Sequence, residues 1–124
     1  MKSFVVLKID NDTYFEMPLL EGYLAGYGVK LVESSLAQAL PAISEHAPDV
    51  VVTGAATIGE TLIEAGRRKG LRGIVKAGTG MDNIDVAHAR STGVMVVNVP
   101  AYAAETVAEL LRLALFRGER PTYR

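Results

Sequence analysis

The chain has 124 residues, 49% hydrophobic and 22% charged, which is the profile of one soluble globular domain. Its formal charge of -1, from 13 basic and 14 acidic residues, favours neither nucleic acid nor an anionic membrane surface as partner. With no cysteine in the chain, disulfides, thiolate catalysis and cysteine-bound zinc are excluded together, and His46 and His88 stand at no metal-ligand spacing, so no metal site is expected. No apolar run approaches the roughly twenty residues of a membrane span, and Met1-Lys2 leads straight into a strand-like segment, so the expected compartment is the cytoplasm.

In chain order, the first apolar run is FVVLKI at 4–9, β-branched and closed by the polar turn Asp10-Asn11-Asp12. VKLV at 29–32 is the second run, DVVVT at 49–53 the third, GIVKA at 73–77 the fourth and VMVVNV at 94–99 the fifth. Most are continuous and not alternating, as expected for strands covered on both faces. Each interval between them is long enough for one helix. Pro41 lies within the second interval and predicts a helix that is split or begins there. Thr57-Ile58-Gly59-Glu60 reads as a capping box, in which hydroxyl and carboxylate satisfy two free amides reciprocally; the helix it opens should stop near Gly70. Asp82 or Asn83 is the expected cap of the next helix, which runs to Gly93. The last helix carries Ala104, Val107, Ala108, Leu111 and Leu115 on one stripe, with Glu105, Glu109 and Arg112 on another, and ends near Gly118.

Five successive strand–helix units predict an α/β fold: a five-stranded parallel sheet with helices on both faces, in the flavodoxin-like order 2-1-3-4-5. Residues 1–118 read as one domain and 119–124 as a polar tail. Ligands of such sheets collect at the carboxyl ends of the strands. A phospho-accepting receiver is disfavoured because the third strand ends in Thr53-Gly54, without a carboxylate. A flavin phosphate is disfavoured by Asp10-Asn11-Asp12, which would repel it. The dinucleotide motif Gly-x-Gly-x-x-Gly is absent from these residues. What remains is Lys76-Ala77-Gly78-Thr79-Gly80 after the fourth strand, which is either a tight strand-to-helix turn or a set of amides that cradles an anion, with Lys76 adding charge.

From Lys76 to Asp85 the sequence KAGTGMDNID resembles the substrate loop of the D-isomer-specific 2-hydroxyacid dehydrogenases. The similarity continues through Ser91-Thr92-Gly93-Val94, Val97-Asn98-Val99-Pro100, Tyr102 and Thr106-Val107-Ala108-Glu109. The resemblance implies a two-domain enzyme with its substrate in the cleft between domains, of which this chain is the substrate-binding half. It implies a carboxylate-binding loop at Lys76, Ala77, Gly78, Thr79 and Gly80, a cleft-lining Tyr102, and Thr79 and Thr106 bordering an NAD cofactor held by the other domain. The implied partner is a small 2-hydroxy or 2-keto acid. Thr53-Gly54 departs from the Arg-Ser of phosphoglycerate-type members, against a phosphorylated substrate. Leu110 stands where many members have a histidine. The NAD-binding domain and the family's catalytic Arg, Glu and His are not among these residues; His46 and His88 read as surface residues, so no catalytic residue is assigned. These 124 residues are expected to be inactive alone. The alternative is a truncated relative serving as a self-associating binding module, a homo-oligomer formed through the last helix or the fifth strand.

Overall fold

A computed structural model of the protein describes residues 3–9, 17–78, 80–99, 106 and 108–113, with the backbone alone at 17–20. The apolar runs become β1 (Phe4–Ile9), β2 (Val29–Ser34), β3 (Val50–Thr53), β4 (Gly73–Ala77) and β5 (Met95–Val99), all parallel in the order β2-β1-β3-β4-β5. The helices are α1 (Met17–Leu24), α2 (Ala39–His46), α3 (Glu60–Arg68) and α4 (Val86–Ser91), with a 3-10 turn at Leu36–Gln38 and a further helical stretch at 108–113. None of these helices is long and apolar enough to cross a membrane.

Period-two alternation along the central strands sends neighbouring side chains to opposite cores. Val6, Val52 and Val75 meet Leu24, Ala108 and Leu111 on one face. Leu7, Val51 and Ile74 meet Ile43, Ile63 and Ala89 on the other. Each such side chain contributes about 1.5–3 kcal/mol by leaving water. β1 is buried at every position, whereas β2 and β5, at the sheet's two edges, are partly exposed.

Two expected caps are displaced, for one reason. The capping box would start a helix at Thr57, but Ile58 is pulled into a parallel bridge with Ile84: its N–H donates to Asn83 O at 2.7 Å and its carbonyl accepts from Asp85 N at 3.0 Å. A residue paired in this way is extended, so α3 begins only at Glu60 with Gly59 as its cap. The same bridge draws the following helix start forward. Asp85, and not Asp82 or Asn83, caps α4, its carboxylate accepting from His88 N at 3.1 Å. Pro41 lies in the first turn of α2, where its missing N–H breaks no helical bond.

The histidines are half-buried and not free at the surface. His46 Nε2 lies 3.8 Å from Glu45 Oε1 at the end of α2. His88 on α4 reaches across to α3, where its Nε2 lies 2.8 Å from Glu64 Oε2, and Arg67 Nη2 lies 2.8 Å from the other carboxylate oxygen. The Arg67 hydrogen bond first, and that of His88 second, hold the Glu64 carboxyl at about 2 against an ordinary 4.5. A carboxyl depressed on folding stabilises the fold above its unfolded value and loses that contribution as pH falls towards its folded value. Glu64→Gln is therefore expected to lower the urea midpoint at neutral pH, with the gap from wild type closing as pH drops from about 5 to about 3. A gap independent of pH would show that Glu64 does not link the two helices by charge.

Candidate functional site

The strand register aligns Ile9, Thr53, Lys76 and Asn98 laterally across the carboxyl ends of β1, β3, β4 and β5. Alternation turns all of these side chains to the face that carries α2, α3 and α4. After Ile9 the row is polar, at the end of a sheet whose centre is hydrocarbon. The Thr53 side chain is fully buried and its hydroxyl has no hydrogen-bond partner among the described residues.

Lys76 is 9% exposed, and its ammonium does not extend to solvent. Nζ donates to the Gly54 carbonyl and, at 2.9 Å, to Oδ1 of Asn83. Asn83 in turn donates from Nδ2 to Gly54 O at 3.0 Å and to Ala56 O at 2.6 Å. One amide side chain thus reaches from the loop after β4 to the carbonyls of the loop after β3, with the lysine bonded beneath both. Buried backbone carbonyls require such partners, and the Ile58–Ile84 bridge continues the same seam with backbone groups.

Gly78 stands at φ +149, a conformation side-chain-bearing residues rarely adopt, and a Cβ there would lie 3.2 Å from Lys76 Cε. The backbone conformation is the one that demands glycine, and a Cβ would in addition press on the lysine stem. Its N–H donates to Val99 O at 2.7 Å, extending the β4–β5 ladder by one residue, while its carbonyl lies 3.4 Å from Asn98 Nδ2. Gly80 is exposed, and a Cβ on it would meet nothing within 4 Å. No hydrogen bond among the described residues takes up its amide.

The expected loop residues are brought together, with changed roles. Ala77 ends β4 with its methyl in the core beside Val75 and Val99. Gly78 cannot offer its amide to an anion while Val99 holds it; what it contributes is the turn that carries the chain back over Lys76. Lys76 is bonded within the protein instead of reaching out. Gly80 lies open at the mouth. Thr106 is helical and exposed. Thr79 and Tyr102 lie outside the described residues. Sequence reasoning marked Thr53 and Asn98 as strand ends and offered Asn83 only as a helix cap; it missed the bonds of Asn83 to Lys76, Gly54 and Ala56. The signal for Asn83 was Lys76 itself: a lysine inside an apolar strand must find buried oxygen acceptors, and Asn83 is seven residues further on.

Residues 7–111 match the family model described as D-isomer specific 2-hydroxyacid dehydrogenase, catalytic domain. A hydroxypyruvate reductase of Thermotoga maritima is 48% identical over 63 residues, which make up 50% of this chain and 20% of that protein. The fold is similar to a cofactor (NAD+)-bound 3-phosphoglycerate dehydrogenase of Entamoeba histolytica, at a TM-score of 0.67 and 24% identity over 98% of this chain and 41% of that one. It is also similar to the apo-form of D-lactate dehydrogenase from Escherichia coli, at a TM-score of 0.64 and 21% identity over 92% of this chain and 36% of that one. The chain therefore spans well under half the length of these proteins.

Removing the Asn83 amide strips a donor from both Gly54 O and Ala56 O and an acceptor from Lys76. Asn83→Ala is expected to cost about 2 kcal/mol in urea unfolding, because buried partners lose their bonds without regaining water. It should also speed hydrogen exchange at the Ile58 and Asp85 amides, the backbone bonds of the adjoining seam. Wild-type stability and protection in this variant would show that the two loops hold their places without it.

Proposed function

The chain belongs to the D-isomer specific 2-hydroxyacid dehydrogenase family, and from that premise we propose that it is the substrate-binding half of an NAD-dependent enzyme acting on a small 2-hydroxy or 2-keto acid. The observation that carries this is the turn after β4. It leaves the backbone open at Gly80, at the carboxyl ends of the strands, with the buried ammonium of Lys76 against the adjoining Gly78. Backbone amides at such a turn hold a carboxylate, and on this reading the donors are Thr79 and Gly80, since Gly78 N–H serves the sheet. Tyr102 lines the cleft, and Thr79 with Thr106 faces the cofactor side.

NAD is implied by the family, and NAD+ is bound in the Entamoeba histolytica phosphoglycerate dehydrogenase. These residues border such a cofactor but do not fit it as its pocket. The glycine triplet that would seat a pyrophosphate is absent from the sequence, and the glycine loop present follows β4, with Asn83 at its third position occupied in bonding Gly54 and Ala56. The chemistry these residues perform is recognition: holding the acid's carboxylate so that its second carbon faces outward.

A pair of amides with one buried charge behind them, open to water on the far side, supports a dissociation constant on the order of 1 mM. Residues 1–124 titrated with oxamate, a non-reacting analogue of a 2-keto acid, should show saturable nuclear magnetic resonance shifts at the Gly80 amide and none at Gly78 beyond those of its neighbours. NADH with pyruvate should give no sustained loss of absorbance with these residues alone. A Gly80 amide unmoved by oxamate would refute the reading.

A second reading, self-association, is favoured by a separate feature. An apolar cleft of about 280 Å³ lies between β4, the edge strand β5 and the helical residues 108–113, lined by Val75, Val97, Leu110 and Leu111. Met95 and Leu113 on its walls are 62% and 48% exposed. Apolar walls beside an edge strand suit a second copy of the same chain. Sedimentation of residues 1–124 should show mass rising with concentration, and Met95→Lys should return it to monomer. A single monomeric species at all concentrations would dispose of this reading.

A further inference from the structure

Among the described residues, Lys8 and Lys76 are the lysines buried to 9% exposure or less, and they differ in what faces them. Lys8 Nζ lies 3.9 Å from the carboxylate of Glu33. Lys76 Nζ has a carbonyl and an amide oxygen, both neutral, and no carboxylate among the described residues. Dipoles of this kind take two of the ammonium's three hydrogen bonds and fix its place without cancelling its charge. A buried charge left uncancelled is costly, and it persists where a mobile anion completes the site.

The place is specific. A Cβ on Gly78 would lie 3.2 Å from Cε and 3.8 Å from Nζ of Lys76, so the backbone of the turn rests on the end of the lysine. Asn83 fixes that end from the far side through its own bonds to Gly54 and Ala56. The lysine therefore cannot reach out to a ligand without abandoning both partners. We propose that Lys76 is a positioning residue for anion binding: held by Gly54 and Asn83, it supports the backbone at Gly78, where the turn begins, and supplies a positive field to the bound carboxylate without touching it. This rests on the reading above that the turn holds a carboxylate.

The test uses residues 1–124 with oxamate as probe, followed at the Gly80 amide, in wild type, Lys76→Arg and Lys76→Gln. The arginine retains the charge and should bind within about threefold of wild type. The glutamine keeps a donor for the Gly54 carbonyl and loses the charge; it should bind about tenfold more weakly while still shifting the same amide. Wild type that moves the Gly80 amide together with a glutamine variant of equal affinity overturns this proposal and leaves the carboxylate reading standing. No shift in wild type overturns both. Should the glutamine variant not fold, Lys76→Met asks the same question with the Asn83 bonds to Gly54 and Ala56 kept. It removes the charge and leaves an apolar stem of similar length, so oxamate affinity falls about tenfold if the field matters, and unchanged affinity overturns the proposal.

Discussion

Burial of both sheet faces is the constraint from which the rest of this structure follows. With β1, β3 and β4 enclosed between two layers of hydrocarbon, a polar side chain sits at the strand ends or, like Lys8, beside a charge on the neighbouring edge strand. Thr53, Lys76 and Asn98 gather there because the register aligns the strand termini, and alternation points them the same way. The site is thus a by-product of how the sheet is covered: polar groups collect where the covering helices stop.

At that end the molecule must also satisfy the carbonyls of two adjacent loops. It does so with the side chains of Asn83 and Lys76 and with the backbone bridge Ile58–Ile84. The seam explains why the turn after β4 has its particular shape. Asn83 is drawn towards Gly54, the chain from Gly78 onward must curve over Lys76 to reach it, and Gly78 takes a backbone conformation closed to other residues. Its amide continues the ladder to Val99 and is not offered to a ligand. Glycine at 78 serves the protein's own geometry, whereas Gly80 has open space above it and leaves room for a ligand to approach the backbone.

The strands and their order were legible in the sequence because continuous β-branched runs separated by helix-length intervals admit few parallel topologies. Helix starts were less so. Thr57 and Glu60 have the residue types of a capping box, yet Ile58 is worth more in the bridge to Ile84 than in a first helical turn, and a local motif carries no trace of a partner 26 positions away. The failure at Asp82 has the same origin, since the bridge fixes Asp85 as the first residue free to cap. The glycine loop was legible as the stretch that follows the fourth strand. What the pattern could not distinguish was an amide offered to a ligand from one donated to the next strand, because that depends on where β5 ends relative to β4.

The solved relatives establish the fold and leave the chemistry to be argued from the residues, for their identity to this chain is 24% or less in the phosphoglycerate and lactate dehydrogenases compared. If the turn holds a carboxylate as proposed, a mouth formed from backbone amides and a recessed cation would recognise charge and shape at one end of an acid and be indifferent to its side chain. Discrimination between acids would then come from whatever faces the turn. The geometry at this end of the sheet is set by main-chain bonds and by Asn83, so on that reading a substrate-selecting wall could vary without disturbing how the carboxylate is held.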